Sequence, residues 1–179
     1  MNVNISNLDS TLEHWASIDG YLNYQVSWWG RVLNTKTGRI LKNLLGSHGY
    51  LQVCLSKNGK VKTHCIHVMV AQAWVSNPED KKCVDHIDGD KTNNHYENLR
   101  YATHRENGGN RKKQTGSSSS IYKGVNYFKR TGMWEARIQT PGKRIHLGYF
   151  ANEREAAIAY NLSAVKYFKQ FANLNVFED

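Results

Sequence analysis

The sequence predicts an α+β fold. It has an N-terminal antiparallel sheet module, a central strand–loop–strand–helix unit, and a C-terminal three-stranded antiparallel sheet packed on one helix. Three observations carry this expectation. Short runs over residues 15–66 are punctuated by turn residues, with period-two alternation at Tyr50–Leu55. A polar segment dense in Asp, Asn and His lies between two short strand-like runs over residues 82–102. Beyond a serine run, three further strand-like stretches lead into one long amphipathic segment.

In the first module, Tyr24–Ser27 and Arg31–Asn34 flank the turn residues Trp28-Trp29-Gly30, and Thr35–Gly38 is a second turn. Tyr50–Leu55 and Val61–Ile66 pair around Lys57-Asn58-Gly59-Lys60, a hairpin signal because Asn-Gly accepts positive φ. Residues 67–75 read as a short helix, with Val68, Ala71 and Val75 on one face and Asn77-Pro78 ending it. Thr103 and Glu106 form a T-x-x-E capping box for a helix that Gly108-Gly109 keeps short. Gln114–Ser120 is a linker by composition. Tyr122–Phe128, Trp134–Thr140 and Lys143–Phe150 read as strands, with turns at Thr131-Gly132 and Pro141-Gly142. Asn152–Phe171 is the long helix, whose alanines permit close approach to the sheet. The expected domains are 1–66, 67–112 and 121–179, with a linker at 113–120.

Charge and cysteine usage narrow the function. The 179 residues carry a formal net charge of +9, which suggests a polyanion partner. Residues 67–103 are net acidic between basic flanks, an arrangement that suits a DNA-binding protein with a cation site at its centre. No apolar run approaches bilayer-spanning length, and Met1–Ser6 lacks the basic and apolar regions of a secretory signal. Three cysteines without a CxxC pair argue against a disulfide scaffold and for a reducing cytoplasm.

The chemistry concentrates in Val84-Asp85-His86-Ile87-Asp88-Gly89-Asp90-Lys91-Thr92-Asn93-Asn94-His95-Tyr96-Glu97-Asn98-Leu99-Arg100, followed by Asn107 on the capped helix. This pattern resembles the HNH nuclease family, in the subgroup of phage homing endonucleases. The H, N and final motif positions fall on His86, Asn98 and Asn107, with Asn107 in place of the last histidine. The resemblance implies a ββα-metal unit around one divalent ion, Mg²⁺ or Mn²⁺. It implies Asp85 and Asn107 as metal-binding oxygens, His86 as general base, and Asn98 as a structural tie of the loop. Oxygen ligands and an imidazole with an ordinary pKa near 6.5 suit phosphodiester hydrolysis at neutral pH. Asp88, Asp90 and Asn94 also read as ordinary turn formers, and a turn role is assigned to Asp88. Cys65, His67, Cys83 and His86 offer a weaker zinc spacing, against which both cysteines read as core residues. His67 reads as a cap, a core residue or a group facing the site.

Two flanking resemblances add DNA-binding surface. Y-K-G-V at Tyr122–Val125, W-E-A-R-I at Trp134–Ile138, K-R-I-H-L-G-Y-F at Lys143–Phe150 and E-A-A-I-A-Y at Glu155–Tyr160 resemble the plant ethylene-response-factor (APETALA-type) DNA-binding domain. That family reads the major groove with a sheet face, which implies Lys123, Asn126, Phe128, Arg137, Gln139, Arg144 and His146 as contacts. Trp15–Ile18 and Tyr24–Val32 resemble the module preceding the HNH unit in phage enzymes, with Arg31, Arg39 and Lys42 as candidates for phosphate contact.

Together these features predict a site-specific, divalent-metal-dependent endonuclease of HNH homing type. It acts on double-stranded DNA as a monomer, away from membranes, in the cytoplasm of a bacterium or phage-infected cell. One site per chain makes a single-strand nick the default product. The rival readings are a DNA-binding regulator with an inactive nuclease core and an RNA-binding protein. The second is weakened by the lack of an aromatic RNA-recognition strand motif.

Overall fold

The computed structural model describes residues 12–111, 113, 119–140 and 142–177. Met1–Ser6, Gln114–Ser118 of the linker and Pro141 of the last turn lie outside the described residues. The chain divides into two compact units between Thr103 and His104. No helix among the described residues is long and apolar enough to cross a membrane.

Among the described residues the first unit holds nine strands, one α-helix and a 3₁₀ turn at Tyr96–Asn98. β1 (Trp15–Ile18), β2 (Tyr21–Ser27), β3 (Val32–Asn34) and β4 (Arg39–Ile40) form an antiparallel sheet in chain order. β5 (Leu44–Leu45), β6 (Leu51–Lys57) and β7 (Lys60–Cys65) form a second. The single N-terminal sheet expected from sequence is thus two. Leu41 N donates to Val32 O beyond β4, and the Leu41 side chain packs on the core, so the ladder ends there. The Asn-Gly hairpin behaves as its chemistry requires, with φ of +52° at Asn58 and +74° at Gly59.

α1 (Ile66–Trp74) follows β7 directly. It buries Ile66, Met69, Val70 and Trp74 against Val26, Trp28, Val32, Val53 and Leu55. Each such side chain contributes about 1.5–3 kcal/mol on burial, which makes the N-terminal sheets and α1 one core. β8 (Cys83–His86) and β9 (Leu99–Ala102) form a two-stranded ladder closed by the loop 87–98. Leu99 extends the same core.

The second unit opens with α2 (His104–Asn110). β10 (Val125–Phe128), β11 (Met133–Thr140) and β12 (Lys143–Phe150) form an antiparallel sheet in chain order. α3 (Glu153–Phe168) covers one face of it, packing Ala156 and Ala157 on Val125 and Ala136. Asn152 caps α3 by accepting from Arg154 N at 2.7 Å. Gly124 is required here: its φ is +77°, and a Cβ would lie 2.1 Å from Tyr160 and 2.6 Å from Arg137 O.

β12 uses one residue more than β11. Ala136 pairs with Gly148 but Arg137 pairs with His146, so Leu147 is a bulge. α2 packs on residues of its own unit. A Cβ on Gly109 would meet Phe168 at 2.6 Å, and Asn173 donates to Asn110 O at 3.2 Å.

Candidate functional site

Strand pairing sets the first site. In the β8–β9 ladder Asp85 stands opposite Arg100 and His86 opposite Leu99. Adjacent strand residues project to opposite faces, and Asp85 and His86 accordingly have different partners. Asp85 is 5% exposed and accepts on Oδ2 from Arg100 Nε at 2.9 Å and Nη2 at 2.8 Å. His86 is 4% exposed, and its Nε2 lies 3.1 Å from Asn94 Oδ1. An amide oxygen only accepts, so this contact favours the tautomer with the proton on Nε2.

The surroundings of His86 are aromatic. The His67 ring lies 5.0 Å from it and the Tyr50 ring 5.9 Å, while Tyr50 and His67 are 4.7 Å apart. Lys91 Nζ sits 4.7 Å from the centre of the Tyr50 ring and donates to His48 O at 2.9 Å. His67 is buried with Nδ1 unpartnered. Burial, and secondarily the neighbouring His86, push its pKa down to about 4, so it is neutral at physiological pH.

The loop between the strands is held from within and from outside. Asn98 Nδ2 donates to Asp88 Oδ1 at 2.9 Å and to Asn93 O at 2.8 Å, while Asn98 Oδ1 accepts from Asp88 N at 3.1 Å. Desolvation pushes the Asp88 carboxyl up, but hydrogen bonds from Asn93 Nδ2, Asp90 N and Asn98 Nδ2 outweigh it and hold the carboxyl below its usual pKa range. Tyr96 N donates to Trp28 O at 2.8 Å, and the two rings stack at 5.5 Å. Gly30, at φ +84°, approaches Asn94 so closely that a Cβ there would lie 2.7 Å from Asn94 Cβ. The N-terminal sheet thus presses on the residue that holds His86.

Other expected positions fall differently. Asn107 lies on α2, in the second compact unit. Among the described residues no three His, Cys, Asp or Glu side chains gather as a metal cage, so Cys65, His67, Cys83 and His86 form no zinc quartet. Arg31 is exposed but engaged, donating from Nε to Glu13 Oε1 at 2.8 Å. Arg39 and Lys42 are exposed. Sequence reasoning passed over Arg100 and gave Asn94 and His67 no firm part in the site. The signal for Arg100 was its position as the opposite charge on the strand pairing with the D-H strand.

A second surface lies on the open face of β10–β12. The pairings Asn126–Glu135, Glu135–Tyr149, Arg137–His146 and Gln139–Arg144 place these residues on one face, opposite the helix-covered Val125, Ala136 and Ile138. Phe128 joins them, its ring 5.6 Å from that of Tyr149. Lys123 is turned elsewhere: its Nζ donates to Gly109 O at 3.0 Å and to Arg111 O, and burial lowers its pKa to about 8. Lys123 therefore clasps the segment after α2, and its ammonium is not displayed on the sheet. Glu135 and Tyr149 were not foreseen on this face. Period-two counting back from Arg137 identifies Glu135, but the bulge at Leu147 hides Tyr149.

Comparison with known proteins agrees with this layout. Residues 64–108 match the HNH endonuclease family and residues 13–56 the NUMOD4 motif. DNA endonuclease I-HmuI of Bacillus phage SP01 is 42% identical over 94 residues, covering 52% of this chain and 54% of that protein. The uncharacterized HNH endonuclease L245 of Acanthamoeba polyphaga mimivirus is 37% identical over 93 residues, covering 52% of this chain and 28% of that protein. A solved structure of I-HmuI with DNA binding and cleavage as its subject is 42% identical, covers 50% of this chain and 52% of that one, and has a TM-score of 0.48. The C-terminal part is similar to the AP2-like ethylene-responsive transcription factor TOE2 of Arabidopsis thaliana, 44% identical over 59 residues, covering 33% of this chain and 12% of that protein. The chain spans about half of I-HmuI and about a quarter of L245.

Proposed function

We propose that this chain is a site-specific, divalent-metal-dependent DNA endonuclease of the HNH homing type that nicks one strand per engagement. The carrying observation is the pair Asp85–His86, two adjacent buried groups each held by a separate partner, Arg100 and Asn94. A carboxylate paired with a guanidinium is held in one orientation. An imidazole held in place by Asn94 is oriented for proton transfer with a water. The geometry therefore supports a metal-binding carboxylate and a base in separate roles at one strand end.

The donor set suits a hard cation. The motif resemblance names Asp85 and Asn107 as metal-binding oxygens, and ligands of that kind would suit Mg²⁺ or Mn²⁺ with its remaining positions left to water and phosphate. Such an ion would neutralise charge at the phosphoryl and leaving oxygens. Arg100 would keep Asp85 from turning away, and Asn94 would set the tautomer of His86. His67, neutral and packed on His86, keeps water and a second positive charge from that side of the base. The sheet face of the second unit would supply duplex recognition, with Asn126, Phe128, Arg137, Gln139, Arg144 and His146 toward DNA. Arg39 and Lys42 would add phosphate contacts. We place the enzyme, as a monomer, in the cytoplasm of a phage-infected cell.

Supercoiled plasmid carrying DNA from around the gene tests the proposal. Purified protein with Mg²⁺ or Mn²⁺ is expected to yield the open circle, and EDTA to prevent it. His86→Ala is expected to lower the rate by about 10²–10⁴-fold at nearly unchanged DNA affinity. Tight binding with no cleavage under either ion points to the inactive regulator. Substantial residual cutting by the variant reassigns the base.

A further inference from the structure

A buried carboxylate on a surface meant for a polyanion calls for a reason, and Glu135 is one. Its neighbours Ala136 and Ile138 are buried on the helix-covered side, so period-two alternation turns Glu135 to the open face with Arg137 and Gln139. Yet its side chain is only 5% exposed, whereas Arg137 above it is 40% exposed and His146 is 45% exposed. Arg137 Nη2 lies 2.6 Å and His146 Nδ1 3.0 Å from the same oxygen, Oε1. Both groups thus converge on one oxygen of the buried carboxylate at ion-pair distance. The His146 ring also leans on Tyr149 at 4.7 Å.

We propose that Glu135 is a positioning residue for specificity: beneath the sheet surface it fixes Arg137 and His146 as one base-reading unit and keeps phosphate from settling there. This rests on the reading of the sheet as a duplex-binding face. A long arginine loses rotamer freedom on binding, and an arginine held from below has already lost much of it. The carboxylate also repels the DNA backbone at this one point of the face. Arg144 lines the same concavity and lies opposite Gln139, and among the described residues no carboxylate forms an ion pair with it. Phosphate is thereby directed toward Arg144, and Arg137 is left to a base edge, where its fork can reach guanine.

Site selection by the full-length chain from a duplex library with a randomised centre, repeated with E135Q and R137A, tests the idea. R137A is expected to erase base preference at the one or two pairs that Arg137 reads. E135Q is expected to lose about tenfold of the discrimination at those same pairs and to keep the preferences elsewhere. It is also expected to bind a scrambled duplex no more weakly than the native chain, because a negative charge has gone. Unchanged preferences in E135Q, or a uniform loss at every pair, overturn the proposal. An R137A selection identical to the native one overturns the reading of the sheet itself, and the proposal with it. If circular dichroism shows E135Q unfolded, Glu135→Asp keeps the charge but withdraws the carboxylate by one methylene, and the base-preference criteria alone apply to it: a loss confined to the pairs that Arg137 reads supports the proposal, and unchanged preferences or a uniform loss overturn it.

Discussion

Asp85 and Glu135 are both buried carboxylates beside an arginine, and they are put to opposite ends. In the first unit the arginine is the support. Arg100 reaches across the β8–β9 ladder and is itself mostly covered, with a side chain 17% exposed, so the held group is the acid. In the second unit the acid is the support. Glu135 lies beneath, and Arg137 and His146 are displayed. One pair chemistry thus serves to ready an anion in a closed site or to aim cations on an open face. What separates the two is which partner the local sheet leaves uncovered.

The strongest way to break this comparison is to remove the second unit's frame. Gly124→Ala places a methyl group against Tyr160 and Arg137 O in a left-handed backbone position. The expected loss is several kcal/mol of stability in that unit. Because α2 packs on Phe168 and Asn173, the helix carrying Asn107 loses its seat as well. Both specific binding and nicking are expected to fail, while the first unit still melts cooperatively. Nicking at the native rate by a chain whose C-terminal unit is unfolded would show that α2 needs no support from it.

The closed character of the first unit is sharpened by pH. His67 takes a proton near 6.5 when unfolded but only near 4 when folded. Its depressed pKa means the unfolded state binds more protons between those values. The stability that depends on a neutral His67 is complete above pH 6.5 and is lost as pH falls toward 4, by up to about 3 kcal/mol. Urea unfolding followed by tryptophan fluorescence at pH 7 and pH 4.5 reads this. His67→Phe is expected to flatten the difference, and an equally steep loss in that variant would place the acid sensitivity elsewhere.

The smallest expected effect tests how the base is held. Asn94→Ala removes the acceptor from His86 Nε2 without touching the Asp85–Arg100 pair. A rate loss of about tenfold is expected, the scale of one neutral hydrogen bond, with duplex affinity unchanged. A loss as large as that of His86→Ala would mean that Asn94 does more than set a tautomer.

Much of this was legible in the residues themselves. The Asn-Gly hairpin, the helix stopped before Asn77-Pro78, and the Ala-rich α3 follow from local chemistry. So did the D-H strand and the polar loop after it. What escaped depended on register. Arg100 is recognisable as the partner of Asp85 only once β8 and β9 are paired, and His67 turns toward the site only once α1 has packed. Lys123 resembles any sheet lysine until its ammonium is seen at the carbonyls of Gly109 and Arg111. Long-range pairing, which no window of sequence contains, decided each of these.

The bulge at Leu147 has the character of a frameshift. A strand is read in steps of two, and one additional residue exchanges which letters face outward from there on. Arg144 and His146 lie on one side of it and Tyr149 on the other, yet all three look out from the same face. Deleting Leu147 would restore a regular strand and leave Arg144, His146 and Tyr149 on the same face, whereas pairing β12 at full length without the bulge would turn either the Arg144–His146 pair or Tyr149 toward the helix. Which letters of such a strand do the reading is therefore set by where its extra residue is absorbed, without a single substitution among them.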